Sequence, residues 1–174
     1  MEAEPDRRTV VAKEILASEV DYLRTLDVIK NTFFLSLKNA LASNRAIISA
    51  HNVQLIFSDV MTLCSLSKRL AEELRNRCAD WSPSQCLGDV FVKFTGKLKA
   101  YANFVNNYPM MLTTIERCTE QNPAFRAFLK RHESTPDAKM MTSVLHDLLF
   151  HARLCCCWSL LSCDVEASIG STFV

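Results

Sequence analysis

Glycine and proline are scarce in this sequence, three and five among 174 residues, where a domain of that length ordinarily carries roughly a dozen glycines. So small a stock of turn-forming residues excludes β-sandwiches, barrels and glycine-cradled phosphate sites. An excess of charge of one sign is also missing. Twenty Lys and Arg stand against nineteen Asp and Glu, a formal net charge of +1. No overall field therefore draws in nucleic acid or an anionic membrane, and a charged partner must be met by a local surface. Long apolar runs are absent too, since the most apolar one, Leu154 to Leu161, falls far short of the ~20 residues of a spanning helix. The opening Met-Glu-Ala-Glu-Pro-Asp-Arg-Arg is acidic and has no apolar stretch of a secretory leader. The eight cysteines accordingly read as reduced thiols, not as the framework of a small secreted chain, and a soluble cytoplasmic protein is expected.

What the sequence does contain is helical periodicity over nearly its whole length. With 49% hydrophobic residues, one domain of this size buries a core without staples. The first helix is expected to open after Asp6, with Ile15, Tyr22, Leu26, Ile29 and Phe33 on one face. Leu16, Val20 and Leu23 widen that stripe, while Val10, Glu14, Ser18, Asp21 and Thr25 fall on a mostly polar flank. A second helix is predicted from Ile47 to about Arg77 through Val53, Ile56, Phe57, Val60, Leu63, Cys64, Leu66, Leu70 and Leu74, with residues 78–86 as a connection. A third is predicted from Leu87 to Asn107, bent or interrupted at Tyr108-Pro109 and resumed from Met110 to about Thr119. Asn122-Pro123 caps a helix running to about His132, with Phe125, Phe128 and Leu129 inward. Thr135-Pro136 repeats the signal before Met140, Met141, Val144, Leu145, Leu148 and Leu149. The fold class is all-α, a bundle of elongated helices in one domain.

Residues capable of chemistry do not assemble into a reactive pattern. His146 and His151, followed by Cys155, Cys156, Cys157 and Cys163, are zinc-type ligands, but without Cys-x-x-Cys or His-x3-His spacing they read as buried or partly buried thiols and as packing or surface imidazoles. No Ser-His-Asp, Cys-His or paired-carboxylate arrangement stands out, so no catalytic residue, metal or cofactor is assigned. Lys93, Lys97 and Lys99 alternate with Phe91, Phe94 and Tyr101, which helical spacing resolves into a solvated flank beside a buried stripe rather than a nucleic-acid surface.

The order of these elements carries a resemblance. Val11-Ala-Lys-Glu14-Ile-Leu-Ala-Ser18-Glu19-Val-Asp-Tyr22-Leu-Arg-Thr-Leu26 resembles the first region of the Dbl-homology domain, with its Glu-Leu-Leu-x-Thr-Glu-x-x-Tyr-x-x-x-Leu pattern. Leu55-Ile-Phe57-Ser-Asp-Val and Leu70-x-x-x-Leu74 resemble the second. Leu87-Gly-Asp-Val-Phe91 to Tyr101, Asn107-Tyr-Pro109 and Asn122-Pro-x-Phe125-x-x-Phe128-Leu129 resemble the central helices. The resemblance extends from residue 8 to about 150. It implies guanine-nucleotide exchange on Rho-family small GTPases, in which no covalent bond is made and the nucleotide-free GTPase is held so that GDP escapes. It also implies that Glu14 reaches the switch I region of the GTPase, with Ser18, Glu19 and Tyr22 structural.

One stretch departs from the family. After Ser143-Val-Leu-His-Asp-Leu-Leu-Phe150, the expected Pro-x-Gln-Arg-x-x-Arg-Tyr continuation is replaced by His-Ala-Arg-Leu-Cys-Cys-Cys-Trp. Residues 8–150 are therefore expected to form a partial Dbl-homology domain, and 151–174 a divergent Cys-rich tail, poorly ordered. A truncated or alternatively terminated product with weak or no exchange activity by itself is the expectation. The alternatives are a non-catalytic GTPase-binding adaptor or decoy, and a structural helical fragment that self-associates through an uncovered apolar face.

Overall fold

The computed structural model describes residues 6–82, 84–133 and 141–152, and among these residues the regular structure is entirely helical. The first helix, α1 (Arg7–Val28), starts where expected. The carboxylate of Asp6 accepts the backbone N–H of Arg8 at 2.7 Å and the hydroxyl of Thr9 at 3.2 Å, satisfying donors that have no partner inside the helix. The rod continues past α1 through a π-helical stretch, Ile29–Phe34, into α2 (Leu35–Ala42).

The sequence explains that wider turn. Ile29, Phe33 and Leu37 are all buried, and they recur at steps of four. Each such step overshoots a 3.6-residue turn by about 40°. A π turn takes more residues per revolution and brings Phe33 and Leu37 back onto the core face.

The longest helix, α3 (Ala50–Ala79), begins after Ser49, whose hydroxyl accepts the Asn52 N–H at 3.2 Å. The helix thus starts a turn's length after the expected Ile47. Ile48 is buried ahead of the cap, so apolar periodicity ran on past the point where hydrogen bonding sets the helix start. Cys64 donates to the Leu26 carbonyl at 3.7 Å, Ser67 to Glu19 at 2.5 Å and Cys78 to the Ala12 carbonyl at 3.8 Å. The α3 residue rises as the α1 residue falls, so the two helices are antiparallel.

The expected single helix over Leu87–Asn107 is in fact two, α4 (Gly88–Thr95) and α5 (Lys99–Gln121). Between them Lys97 N–H donates to Phe94 C=O, Leu98 to Thr95 and Tyr101 to Leu98. These i→i+3 bonds tighten the chain locally. They let both Phe94 and Tyr101 face the core, edge to face at 6.1 Å. The chain is not interrupted at Pro109: α5 runs through it, with the ring on the exposed side while Tyr108 and Met111 are buried beside it. Tertiary burial of those neighbours holds the helix across the missing N–H.

Helix α5 packs antiparallel on the other side of α3, with Asn107 donating to Asp59 at 2.9 Å and Asn52 to the Cys118 sulfur at 3.2 Å. The next helix, α6 (Pro123–Glu133), is capped as the sequence predicts, Asn122 Oδ1 accepting the N–H groups of Ala124 and Phe125 at 2.9 and 3.1 Å. Phe128 meets Phe33 of the π turn edge to face at 6.3 Å. A last helical stretch, α7 (141–152), buries Met141, Val144, Leu145, Leu148, Leu149 and Ala152. The predicted start signal at Thr135-Pro136, Met140 and the Cys-rich tail lie outside the described residues.

Candidate functional site

Because α3 and the buried stripe lie behind α1, the polar flank of α1 faces outward. Glu14, Ser18 and Asp21 are exposed there. Asp21 forms an exposed i,i+3 ion pair with Arg24 at 2.7 Å, which contributes little to stability but occupies its charge locally. Glu14 takes part in no hydrogen bond or ion pair among the described residues. It stands on the wall of an open depression of about 310 Å³ lined by Thr9, Val10, Lys13, Glu14 and Ala17. Val10 and Val11 remain 39% and 44% exposed beside it. The face therefore offers an anion, a cation and apolar surface within three helical turns.

The two other matching residues of this segment point the opposite way. Glu19, 6% exposed, is bonded to Ser67, and burial pushes its carboxyl above the ordinary range while the Ser67 hydroxyl partly opposes that shift. Tyr22 is buried between α5 and α7, 6.5 Å from the Tyr101 ring and stacked on His151 at 3.6 Å. One helix thus anchors through Glu19 and Tyr22 while presenting Glu14 outward. Ser18, grouped with them by the sequence reading, is exposed on the Glu14 side.

A bracket unforeseen in the sequence adjoins this face. The turn after α3 reaches back to the start of α1, where the Trp81 indole N–H donates to the Thr9 hydroxyl at 3.0 Å and the Arg8 guanidinium donates to the Gln85 carbonyl at 2.6 Å. Arg77 ties the same turn to α4, donating to the Cys86 carbonyl and, through two nitrogens at 2.8 and 2.7 Å, to Asp89. That pairing holds the Asp89 carboxyl down at about 2. A lone tryptophan in a polar connection gives no periodic signal, so sequence reasoning placed residues 78–86 only as a link.

The zinc-type residues are not brought together where they can be seen. His146 is exposed, His151 lies against Tyr22, and Cys155, Cys156, Cys157 and Cys163 are outside the described residues. Among the described residues no three His, Cys, Asp or Glu side chains form a metal-binding group, and no helix is long and apolar enough to cross a membrane. Lys93 and Lys99 are exposed and Phe94 and Tyr101 buried, the flank-and-stripe division read from spacing. What the α1 face offers is an exposed carboxylate, an exposed ammonium and apolar surface side by side.

Comparison with known proteins fits this geometry. A family model described as the RhoGEF domain matches residues 11–151. Protein ECT2 of Homo sapiens is 30% identical over 131 residues, covering 75% of this chain and 14% of that protein. Kinase and exchange factor for Rac B of Dictyostelium discoideum is 33% identical over 130 residues, covering 74% and 12% respectively. The breakpoint cluster region protein of Homo sapiens is 30% identical over 168 residues, 84% of this chain and 13% of its own length. The chain thus spans only a small part of each of these relatives. Among solved structures, one of the Vav1 exchange factor superposes with a TM-score of 0.72 at 17% identity over 84% of this chain and 38% of that one. The linker-DH/PH portion of p115-RhoGEF gives 0.67 at 19% identity, over 90% and 56%. At those identities the superpositions establish the fold.

Proposed function

Because this chain belongs to the RhoGEF domain family, we propose that it acts as an exchange factor, binding the nucleotide-free form of a Rho-family small GTPase through the outward face of α1. The observation that carries the proposal is Glu14, exposed, without a hydrogen-bond or ion-pair partner among the described residues and set on the rim of an apolar depression. A carboxylate so placed has no bond within the described residues to give up, and against a complementary cation it steers and orients docking while leaving the fold undisturbed. In this reading Glu14 meets the switch I region. Exchange then requires no bond-making residue on this chain. A surface that binds the nucleotide-free conformation more tightly than the GDP-bound one shifts the GTPase toward releasing GDP by that difference in affinity.

The proposal extends to domain organisation and location. Residues 8–150 form the exchange body, residues 151–174 do not follow the family's pattern, and the site of action is the cytoplasm. Exchange by these 174 residues is accordingly weak beside that of the same body continued through the Pro-x-Gln-Arg region. The second reading, a binding module that holds a GTPase without releasing nucleotide, draws on the same replacement of that region after Phe150. A third reading, a structural helical fragment, associates through an uncovered apolar face, Phe150 being left 66% exposed, and light scattering of the purified chain reads it.

The deciding measurement is release of a fluorescent GDP analogue from a panel of purified Rho-type GTPases, alongside binding to the nucleotide-free forms. Accelerated release that Glu14→Ala lowers about tenfold is the expected result. Binding without acceleration selects the second reading, and affinity unchanged by Glu14→Ala removes Glu14 from the interface.

A further inference from the structure

The first turns of α1, from Arg7 to Glu14, are held mainly by polar contacts to a neighbouring turn. Over that stretch only Ala12 is buried; Ile15 and Leu16 pack partly against the core, and the next buried side chains are Glu19 and Tyr22. A helix end with so little apolar anchorage opens at low free-energy cost. What fastens it is the bracket described above, with Trp81 on Thr9, Arg8 on the Gln85 carbonyl, and Cys78 on the Ala12 carbonyl one turn further along. The bracket is itself stiffened, because Arg77 and Asp89 close a two-point ion pair across the turn between α3 and α4.

From this arrangement we infer that Trp81 is a positioning residue for the Glu14 face. Its indole N–H holds Thr9, which lines the same depression as Glu14, and keeps the segment from Arg7 to Glu14 helical in the free protein. A partner that reads Glu14 on this segment makes that contact only in molecules in which those turns are formed. Its apparent affinity scales with the fraction so formed. Trp81 touches no partner in this account and acts through α1. The inference deepens the proposed GTPase-binding reading and rests on it for its functional arm, while its structural arm stands alone.

Trp81→Phe keeps the ring and deletes the donor. Hydrogen exchange of the whole chain is expected to show the amides of residues 10–14 exchanging roughly five- to tenfold faster in Trp81→Phe, with those of α3 and α5 unchanged. Affinity for a nucleotide-free Rho-type GTPase is expected to fall about threefold or more. In a double-mutant cycle, the Trp81→Phe loss should vanish in the Glu14→Ala background, because a positioning residue has nothing to position once its target is gone. Unchanged exchange at residues 10–14 overturns the inference outright. Faster exchange with independent, additive losses shows that Trp81 does not act through Glu14 and overturns it too. If Glu14→Ala alone changes no affinity, the parent reading fails, and the exchange data still decide whether Trp81 holds the helix end.

Discussion

Ser67 of α3 donates its hydroxyl to a carboxylate oxygen of Glu19 on α1 at 2.5 Å, in a site where Ser67 is fully buried and Glu19 is 6% exposed. A carboxylate removed from water in this way is tolerated only while it is hydrogen-bonded. Ser67→Ala is expected to destabilise the fold by about 1–3 kcal/mol at neutral pH, the cost of leaving a buried acceptor unsatisfied. The sign with pH follows from a folded-state pKa raised above the unfolded value of 4.5 by burial. The folded state holds the proton more tightly, so stability from this group is greatest below 4.5 and is lost as pH rises through the higher folded value. Glu19→Gln should flatten that dependence without lowering stability at pH 7. Urea denaturation at several pH values between 4 and 8 measures both, and a Glu19→Gln protein with the wild-type pH profile contradicts the assignment.

His151 at the end of α7 stacks on Tyr22 at 3.6 Å with the rings 7° from parallel. Burial lowers its pKa from 6.5 to about 4, because the cationic ring is poorly solvated there. A base with a depressed folded pKa contributes stability that is complete above 6.5 and is lost as pH falls toward 4. In thermal unfolding His151 should cost the wild type on the order of 1 kcal/mol between pH 7 and 5, set against the opposite-signed contribution of Glu19. His151→Phe, which keeps a ring on Tyr22 but cannot charge, should lose less.

Pro109 lies inside α5 on the solvent side, with the Thr113 hydroxyl on its carbonyl at 3.0 Å. An interior proline forgoes one helical hydrogen bond, a cost only partly offset by its stiffening of the unfolded chain. Pro109→Ala is expected to stabilise the protein by about 1–2 kcal/mol, seen as a higher thermal midpoint. A lower midpoint means that the proline shapes α5 in a way the native helix depends on.

Asn122 serves two elements at once, its Oδ1 capping α6 and its Nδ2 donating to the Ile47 carbonyl before α3. Asn122→Ala should cost about 1–2 kcal/mol, and Asn122→Asp, which keeps the cap and loses the donor, about half of that. Equal losses in the two variants place the whole effect in the Ile47 contact.

The sequence was informative wherever a signal is local. Asp6 and Asn122-Pro123 marked helix starts correctly because a cap is made by neighbours in the chain. It misled where local and tertiary preferences compete. The break between α4 and α5 falls at Gly96, a breaker that the apolar periodicity across it masked, and it brings Phe94 and Tyr101 together, while Pro109 is a strong breaker that Tyr108 and Met111 override. Glu14 was legible as a residue off the buried stripe, and its proposed role came with the family resemblance. Trp81 was not legible, since its partner Thr9 is distant in sequence and nothing in either residue type announces the other.

Scarce glycine, balanced charge and unbroken three- and four-residue periodicity by themselves determined an all-α chain with one continuous core, because burial of a helical stripe depends only on spacing. Which polar residues of α1 face inward depended on α3. Glu19 and Glu14 are the same residue type five positions apart on one helix; spacing already set Glu14 off the buried stripe, and the Ser67 hydroxyl on α3 is what lets Glu19 be buried.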